Sequence, residues 1–329
     1  MCPMLWTPTS FFWSAHFVTL RHGALGVAAN LKDTNHSEAS ERRALKLGLS
    51  AVMLWSTVAT AFSISLRYLT PLQLVTLASA VSWCFLSLRL LQPARWQALR
   101  VTNAKTRLFA LVIGWLNPGL YYLVLFAAYD QLPAQEAMAI NYSWGITLAL
   151  IAAPLLGQKL TLHSLLTSGI SYFGIIIIAT RGEPGALNFA QPEGVALALL
   201  STLIWSLYWV INARMKIDAE VQLFLNFTGA MPLLAALAWY QGAELPPTWQ
   251  GWAGGIYVGL FEMGVAFVLW MGAMQATRST IRISSLIFLS PPLSLCFIWL
   301  IAGEPLRLYT FAGLLLILLG LWLQRRADI

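Results

Sequence analysis

The residues of this chain that could do chemistry are aromatic and amide side chains at helical spacing. Asn141, Trp144, Gly145 and Leu148 stand three or four residues apart, so they share one face of a helix. Asn117 and Tyr121 repeat that spacing, and Trp205, Tyr208 and Trp209 gather rings on another helix. Such faces suit a small zwitterion that carries a ring. Amides and hydroxyls hold its charged end, an indole face can hold its ammonium, and each aromatic contact adds roughly 0.5–1.5 kcal/mol beyond the area it buries. Trp55 and Trp205 lie near the middle of apolar stretches, at matching places in two halves of the chain. The expected cavity lining is therefore Trp55, Tyr121, Asn141, Tyr142, Trp144, Trp205 and Tyr208, with Tyr142 adjacent to Asn141 rather than on its face. Packing against lipid or within a core is the alternative for these rings.

Glu262 is the acidic residue that falls well inside an apolar stretch. An ionised carboxylate at the centre of a membrane helix costs about 2.5–3.5 kcal/mol on insertion scales, so it should face protein or water. Three roles are open to it: proton carrier, contact for a cargo ammonium or gate, and structural hydrogen bonding. Pro118-Gly119 and Pro291-Pro292 interrupt two other apolar stretches. Breaks of that kind are tolerated where they are buried in protein or line a cavity, and they read either as hinges or as packed kinks. No catalytic set, phosphate loop or metal motif is visible, and no cofactor or metal is expected. His16, His22 and His36 precede the apolar stretches, and His163 opens one of them at the membrane surface. Cys2, Cys84 and Cys296 lack metal spacing, and the last two are expected as small buried hydrophobes.

These side chains must be carried by membrane helices. The chain of 329 residues is 58% hydrophobic and only 10% charged, against about 25% charged in a soluble domain. Ten apolar stretches are each long enough to cross a bilayer: 46–66, 71–91, 107–128, 133–155, 162–180, 194–213, 220–241, 250–274, 281–302 and 308–324. The net charge of +7 does not point to nucleic acid. Of the 20 Lys and Arg, 17 fall in alternate loops and at the termini; Arg67, Arg181 and Arg307 are the three in the other set. The positive-inside rule then places both termini in the cytoplasm of a bacterial inner-membrane protein. Trp96, Trp249, Trp252 and Trp322 lie near span ends, where indoles form interfacial belts. Residues 1–43 are expected to be an interfacial or disordered leader. Its apolar run Leu5 to Leu20 contains Pro8 and lacks the basic start of a signal peptide.

The spans divide five and five about the polar stretch 181–194. Leu54-Trp55-Ser56 recurs as Ile204-Trp205-Ser206, Gly157-Gln158-Lys159-Leu160 as Gly303-Glu304-Pro305-Leu306, and Gly174 matches Gly320 at an offset of 146. Because five is odd, the second half enters from the opposite side. The expected fold is all-α, with ten transmembrane helices in two inverted five-helix repeats, 44–181 and 193–326. Secondary transporters are built this way, with a midplane site between the repeats.

On these features the chain resembles the drug/metabolite transporter superfamily of EamA type over residues 44–326. Within it, Leu54-Trp55-Ser56-Thr57, Asn141-Tyr142-Ser143-Trp144, Gly157-Gln158-Lys159 and Ile204-Trp205 with Tyr208 are similar to the YddG-type aromatic amino acid exporters. Where that branch tends to carry Pro after the Asn-Tyr-x-Trp run, this chain has Gly145. The resemblance implies export of aromatic and other apolar amino acids by alternating access, with a small-molecule cargo and the lipid bilayer as partners. Scarce ionic machinery favours facilitated transport. The alternatives are another amphipathic cargo, with or without proton coupling, and a membrane-embedded enzyme or assembly factor, which would need a nucleophile, metal or phosphate site at membrane depth. The charge asymmetry predicts that a reporter fused after Ile329 is active in the cytoplasm. Activity confined to the periplasm would refute the topology and the inversion together.

Overall fold

A computed structural model describes residues 30–155, 161–186, 191–212, 214–277 and 280–327. The first half contains α1 (Asn30–Ser65), α2 (Pro71–Leu90), the short surface helix α3 (Pro93–Val101), α4 (Ala104–Ile113), α5 (Tyr121–Gln131), α6 (Ala134–Asn141), α7 (Trp144–Leu155) and α8 (Leu162–Ala179). The second contains α9 (Pro192–Asn212), α10 (Ala219–Tyr240), α11 (Trp249–Tyr257), α12 (Ala266–Ala276), α13 (Thr280–Ser285), α14 (Ser290–Phe297) and α15 (Leu308–Ala327). Among the described residues, seven helical stretches are long and apolar enough to cross a membrane. They are Glu38–Ser65, Pro71–Leu90, Ala104–Gln131, Leu162–Ala179, Pro192–Asn212, Ala219–Tyr240 and Trp249–Ala276. Leu286–Ala302 and Leu308–Gln324 are shorter apolar helices.

The helices start where the sequence supplies caps. Thr70 and Gln73 close a reciprocal capping box before Pro71, with Gln73 N donating to Thr70 Oγ1 at 3.2 Å and Thr70 N to Gln73 Oε1 at 2.9 Å. Asn103 accepts from Thr106 N, and Asp218 accepts from Glu220 N and Val221 N. Gly303 ends the α14 stretch at φ +73°, a left-handed conformation that glycine adopts without a Cβ penalty. At the end rich in basic residues, Glu220 of α10 is gripped by Arg89 of α2 at 3.1 Å and by Arg95 of α3 at 2.6 Å. That hydrogen bond raises the Arg95 pKa above its ordinary value, and nearby Asp218 adds to it.

Four expectations need correction. The fourth span is two helices: α6 and α7 part at Tyr142-Ser143. Residues 30–43 lie within α1, where the polar composition had suggested disorder; residues 1–29, with Cys2, Pro8, His16 and His22, lie outside the described residues. Cys84 and Cys296 are exposed on the outer faces of their helices instead of buried. Pro291 and Pro292 do not break a helix; they begin α14, after a tight turn of helix at Leu286–Leu289. Proline fits the first turn because those N–H groups have no intrahelical partner.

α8 and α15 pack antiparallel through small residues. A Cβ on Gly174 would lie 2.5 Å from the Gly313 carbonyl oxygen, and one on Gly320 would lie 2.6 Å from the Thr167 carbonyl oxygen. Between those points Ser171 Oγ donates to the Ile317 carbonyl at 3.1 Å. Close backbone approach through small residues is how helices associate without a hydrophobic driving force between them. Gly174→Val should therefore lower stability by about 1–3 kcal/mol through overpacking, read as a lower thermal midpoint in detergent. Gly169→Ala on the same helix, where a Cβ meets nothing within 4 Å, should leave it unchanged. Equal midpoints for the two variants would contradict this packing.

Candidate functional site

An internal cavity of about 140 Å³ lies between the two halves. Apolar cavities of roughly 150 Å³ accept benzene, so this one has room for an aromatic ring. Its walls follow helical spacing. α1 contributes Trp55, Val58, Ala59 and Phe62; α5 contributes Tyr121, Leu125 and Tyr129; α9 contributes Trp205 and Trp209. Asn141 and Tyr142 line it from the end of α6, Trp144 from the start of α7, Phe267 and Trp270 from α12, and Ser294 from α14. Glu262 reaches it from the segment between α11 and α12.

Six of the seven residues expected on the wall are therefore brought together. Tyr208 is not on it. Its ring stacks against Trp205 at 5.7 Å, and its hydroxyl donates to the Asn226 amide oxygen at 2.8 Å, while the Asn226 nitrogen reaches the Ala110 carbonyl. Asn117 is buried but absent from the lining, and neither Pro118 nor Pro291 reaches the wall. Phe62, Tyr129, Phe267, Trp270 and Ser294 were not anticipated, and Trp209, grouped with Trp205 and Tyr208 on one helix, was not among the residues expected on the wall. Phe62 follows Trp55 by seven residues and Tyr129 follows Tyr121 by eight, so both could have been found by extending the faces already identified.

Trp205 is the centre of the aromatic wall. Its ring lies 4.5 Å from Tyr121, 5.7 Å from Trp209 and 6.3 Å from Trp144. Trp55 packs on Phe267 at 5.5 Å and on Trp270 at 5.3 Å. The polar groups are few. Asn141 Nδ2 donates to Ser201 Oγ at 2.9 Å. Tyr122 OH donates to Glu262 Oε1 at 3.1 Å. Glu262 Oε2 and Ser294 Oγ are buried without a hydrogen-bond partner.

Irregular backbone surrounds the cavity. Proline 118 forces the preceding residue out of the helical region, and Asn117 is extended at φ −145°, ψ 121°. The chain regains its bonding with Gly119 N donating to the Gly114 carbonyl at 3.0 Å. A second widened turn at Val258–Val265 carries Glu262. At the α6–α7 break, Thr147 Oγ1 donates to the Ser143 carbonyl at 3.3 Å and Ser206 Oγ to the Trp144 carbonyl at 3.2 Å. The Ser143 carbonyl also accepts from Ile146 N at 3.0 Å and Thr147 N at 3.1 Å, so the hydroxyls add bonds to the backbone where α7 begins.

A polar network closes one end of the molecule, that of Arg181 and Arg307. Tyr309 OH donates to Glu136 Oε1 at 2.8 Å, and the Arg181 guanidinium stands 3.6 Å from the same oxygen. Gln135 Nε2 donates to the Pro305 carbonyl at 2.9 Å, its Oε1 accepts from Arg307 N at 3.0 Å, and Ala134 N donates to Glu304 Oε1 at 3.1 Å. These bonds tie the start of α6 to the segment between α14 and α15.

An aromatic exporter, YddG of Ancylobacter novellus, is 26% identical to this chain over 276 residues, covering 80% of this chain and 90% of its own. A transporter of Archaeoglobus fulgidus with no assigned cargo is 22% identical over 84% of this chain and 96% of its own. A solved crystal structure with 22% identity superposes with a TM-score of 0.57 over 87% of this chain and 99% of that one, which supports the fold. The profile of the EamA-like transporter family matches twice, at residues 42–180 and again at 192–325. With both halves matched around a shared internal cavity, the chain belongs to the EamA-like transporter family of multi-pass membrane proteins.

Proposed function

We propose that the chain exports aromatic and other apolar amino acids across the bacterial inner membrane by alternating access, in two inverted five-helix repeats with ten spans and both termini cytoplasmic. The observation that carries this reading is the cavity itself: a ring-sized space walled by Trp55, Tyr121, Trp144 and Trp205, with the amide of Asn141 and the carboxylate of Glu262 on the same surface. Aromatic walls hold the ring, and the polar groups hold the zwitterionic end.

The α8–α15 seam supports inversion. A shift of 146 residues carries the contact Gly174 to Gly313 onto the contact Gly320 to Thr167, and carries Ser171 onto its own partner Ile317. Antiparallel helices related in that way lie on a two-fold axis in the membrane plane, the arrangement of inverted repeats. α1 packs along α12 as α9 packs along α5, which is the same exchange among the helices that line the cavity. In this reading the network of Glu136, Tyr309 and Arg181 lies at the outer end and must part for cargo to leave.

A zwitterion moves no net charge, so its export down a gradient needs no compensating ion. Counterflow of labelled phenylalanine and tryptophan into proteoliposomes is expected to persist with proton and voltage gradients collapsed. Trp144→Ala and Trp205→Ala should impair it at normal membrane expression. Counterflow that requires an imposed pH gradient contradicts the facilitated mechanism, and normal counterflow in both variants removes these residues from the site. A panel in which only non-aromatic cargo exchanges would reassign the substrate.

A further inference from the structure

We propose that Glu262 is the ammonium subsite of the cavity, so that a free ammonium is required of the cargo and a free carboxylate is not. The inference rests on the amino acid reading above and assigns its specificity.

The cavity is charged on one side only. Among the described residues that line it, Glu262 is the single ionisable carboxylate, and no Lys, Arg or His faces it. An ionised carboxylate is a pure acceptor with room for several donors. Tyr122 supplies one, to Oε1, and Oε2 is buried with none. A buried acceptor without a donor is costly, and an alkylammonium brings three donors and the opposite charge. The rings of Trp55, Phe267 and Trp270 on the same walls suit that cation as well.

The carboxylate end of an amino acid finds no cationic partner among the described residues of the cavity lining. Its available partners are neutral: the Asn141 amide, the Tyr142 hydroxyl and the unpartnered hydroxyl of Ser294. In a zwitterion the carboxylate is attached to the carbon that bears the ammonium, so it stays within the field of Glu262. Like charges at that separation repel, and more strongly away from water. Blocking the cargo carboxylate therefore costs little, while blocking its ammonium removes the one charged contact.

The fold does not itself require an acid at this position. A shift of 145 residues carries Gly114, Asn117 and Gly119 onto Gly259, Glu262 and Gly264, so the widened turns of the two halves share a glycine frame with one polar side chain inside it. In the first half that side chain is a neutral amide, buried and off the cavity wall. The widened turn of the first half, which Pro118 distorts further, forms around Asn117 without a charge, and the carboxylate of the second half faces the cavity.

The test uses the full chain purified in detergent, at about pH 7, where α-amino groups remain mostly protonated. Ligand-induced thermal stabilisation is measured for phenylalanine, phenylalaninamide and N-acetylphenylalanine, and the three then compete for phenylalanine counterflow in proteoliposomes. Phenylalaninamide should match or exceed phenylalanine, and N-acetylphenylalanine should need at least about tenfold more. Glu262→Gln should erase that difference by weakening the two ammonium compounds. If N-acetylphenylalanine acts as well as the amide, or the difference survives in a folded Glu262→Gln protein, the subsite is wrong while phenylalanine counterflow leaves the transport reading standing. The wild-type comparison decides even where the variant folds poorly. If none of the three compounds stabilises or competes, both readings fall.

Discussion

In hydrocarbon, a peptide N–H or carbonyl without a partner costs several kcal/mol, so a membrane-spanning chain can leave the regular helix only where protein supplies the missing bonds. The breaks in this protein obey that constraint. Asn117, the Tyr142-Ser143 turn, the Val258–Val265 segment and the turn at Leu286–Leu289 occur on helices that enclose the cavity, each of which contributes a residue to its wall. At the α6–α7 turn Ile146 N and Thr147 N keep the Ser143 carbonyl bonded, and the hydroxyls of Thr147 and Ser206 add to the bonding there. The outer seam, where α8 meets α15, is regular helix pressed backbone to backbone through glycine. Most of the irregularity thus lies on the helices that enclose the cavity; a further widened turn at Ile298–Ala302, with Trp299, Leu300 and Ile301 exposed, ends the α14 stretch.

That division explains how much was legible in the sequence. The all-helical class and seven of the ten expected spans follow from apolar runs, because burial in lipid leaves little choice of structure; among the described residues the fourth span is split and the last two are shorter apolar helices. Trp55, Tyr121, Asn141, Trp144 and Trp205 were legible because large aromatic and amide groups are poor candidates for small-residue helix contacts. Tyr208 was misplaced because spacing identifies a helical face but not its neighbour; Asn226 of α10 holds its hydroxyl instead. The α6–α7 break left no proline in the text. Its signal is the polar cluster of Ser143, Thr147, Ser201, Thr202 and Ser206, a set of hydroxyls with no need to be there in an unbroken helix. The widened turn around Glu262 also lacks proline, and only comparison of the two halves exposes its Gly-x-x-x-x-Gly frame.

Energetically the interior is a compromise between packing and vacancy. Most large side chains near the cavity are locked by neighbours: Phe62 by Phe126 at 4.7 Å and Tyr129 at 5.2 Å, Tyr122 by Tyr121 at 4.8 Å. Such walls are rigid on the scale of a ligand and keep the site preorganised. The polar atoms left without partners, Glu262 Oε2 and Ser294 Oγ, mark the opposite tendency, since each holds bonding capacity that packing alone does not use. Two structural regimes therefore meet at the cavity, with fixed aromatic geometry and open polar valence, which is what reversible capture of a small amphipathic molecule requires.

The central claim is that cargo in this cavity reaches the outer side only when the network of Glu136, Tyr309 and Arg181 parts. The most direct measurement places a single cysteine at Ser294, which is 1% exposed on the cavity wall, in a background free of the three native cysteines. An impermeant thiol reagent is applied from the side of Arg181 and Arg307, with the network intact or weakened by Glu136→Gln and Tyr309→Phe together. The account predicts slow modification with the network intact and markedly faster modification once it is weakened, in protein that retains its thermal transition. Equal rates in the two backgrounds would contradict it.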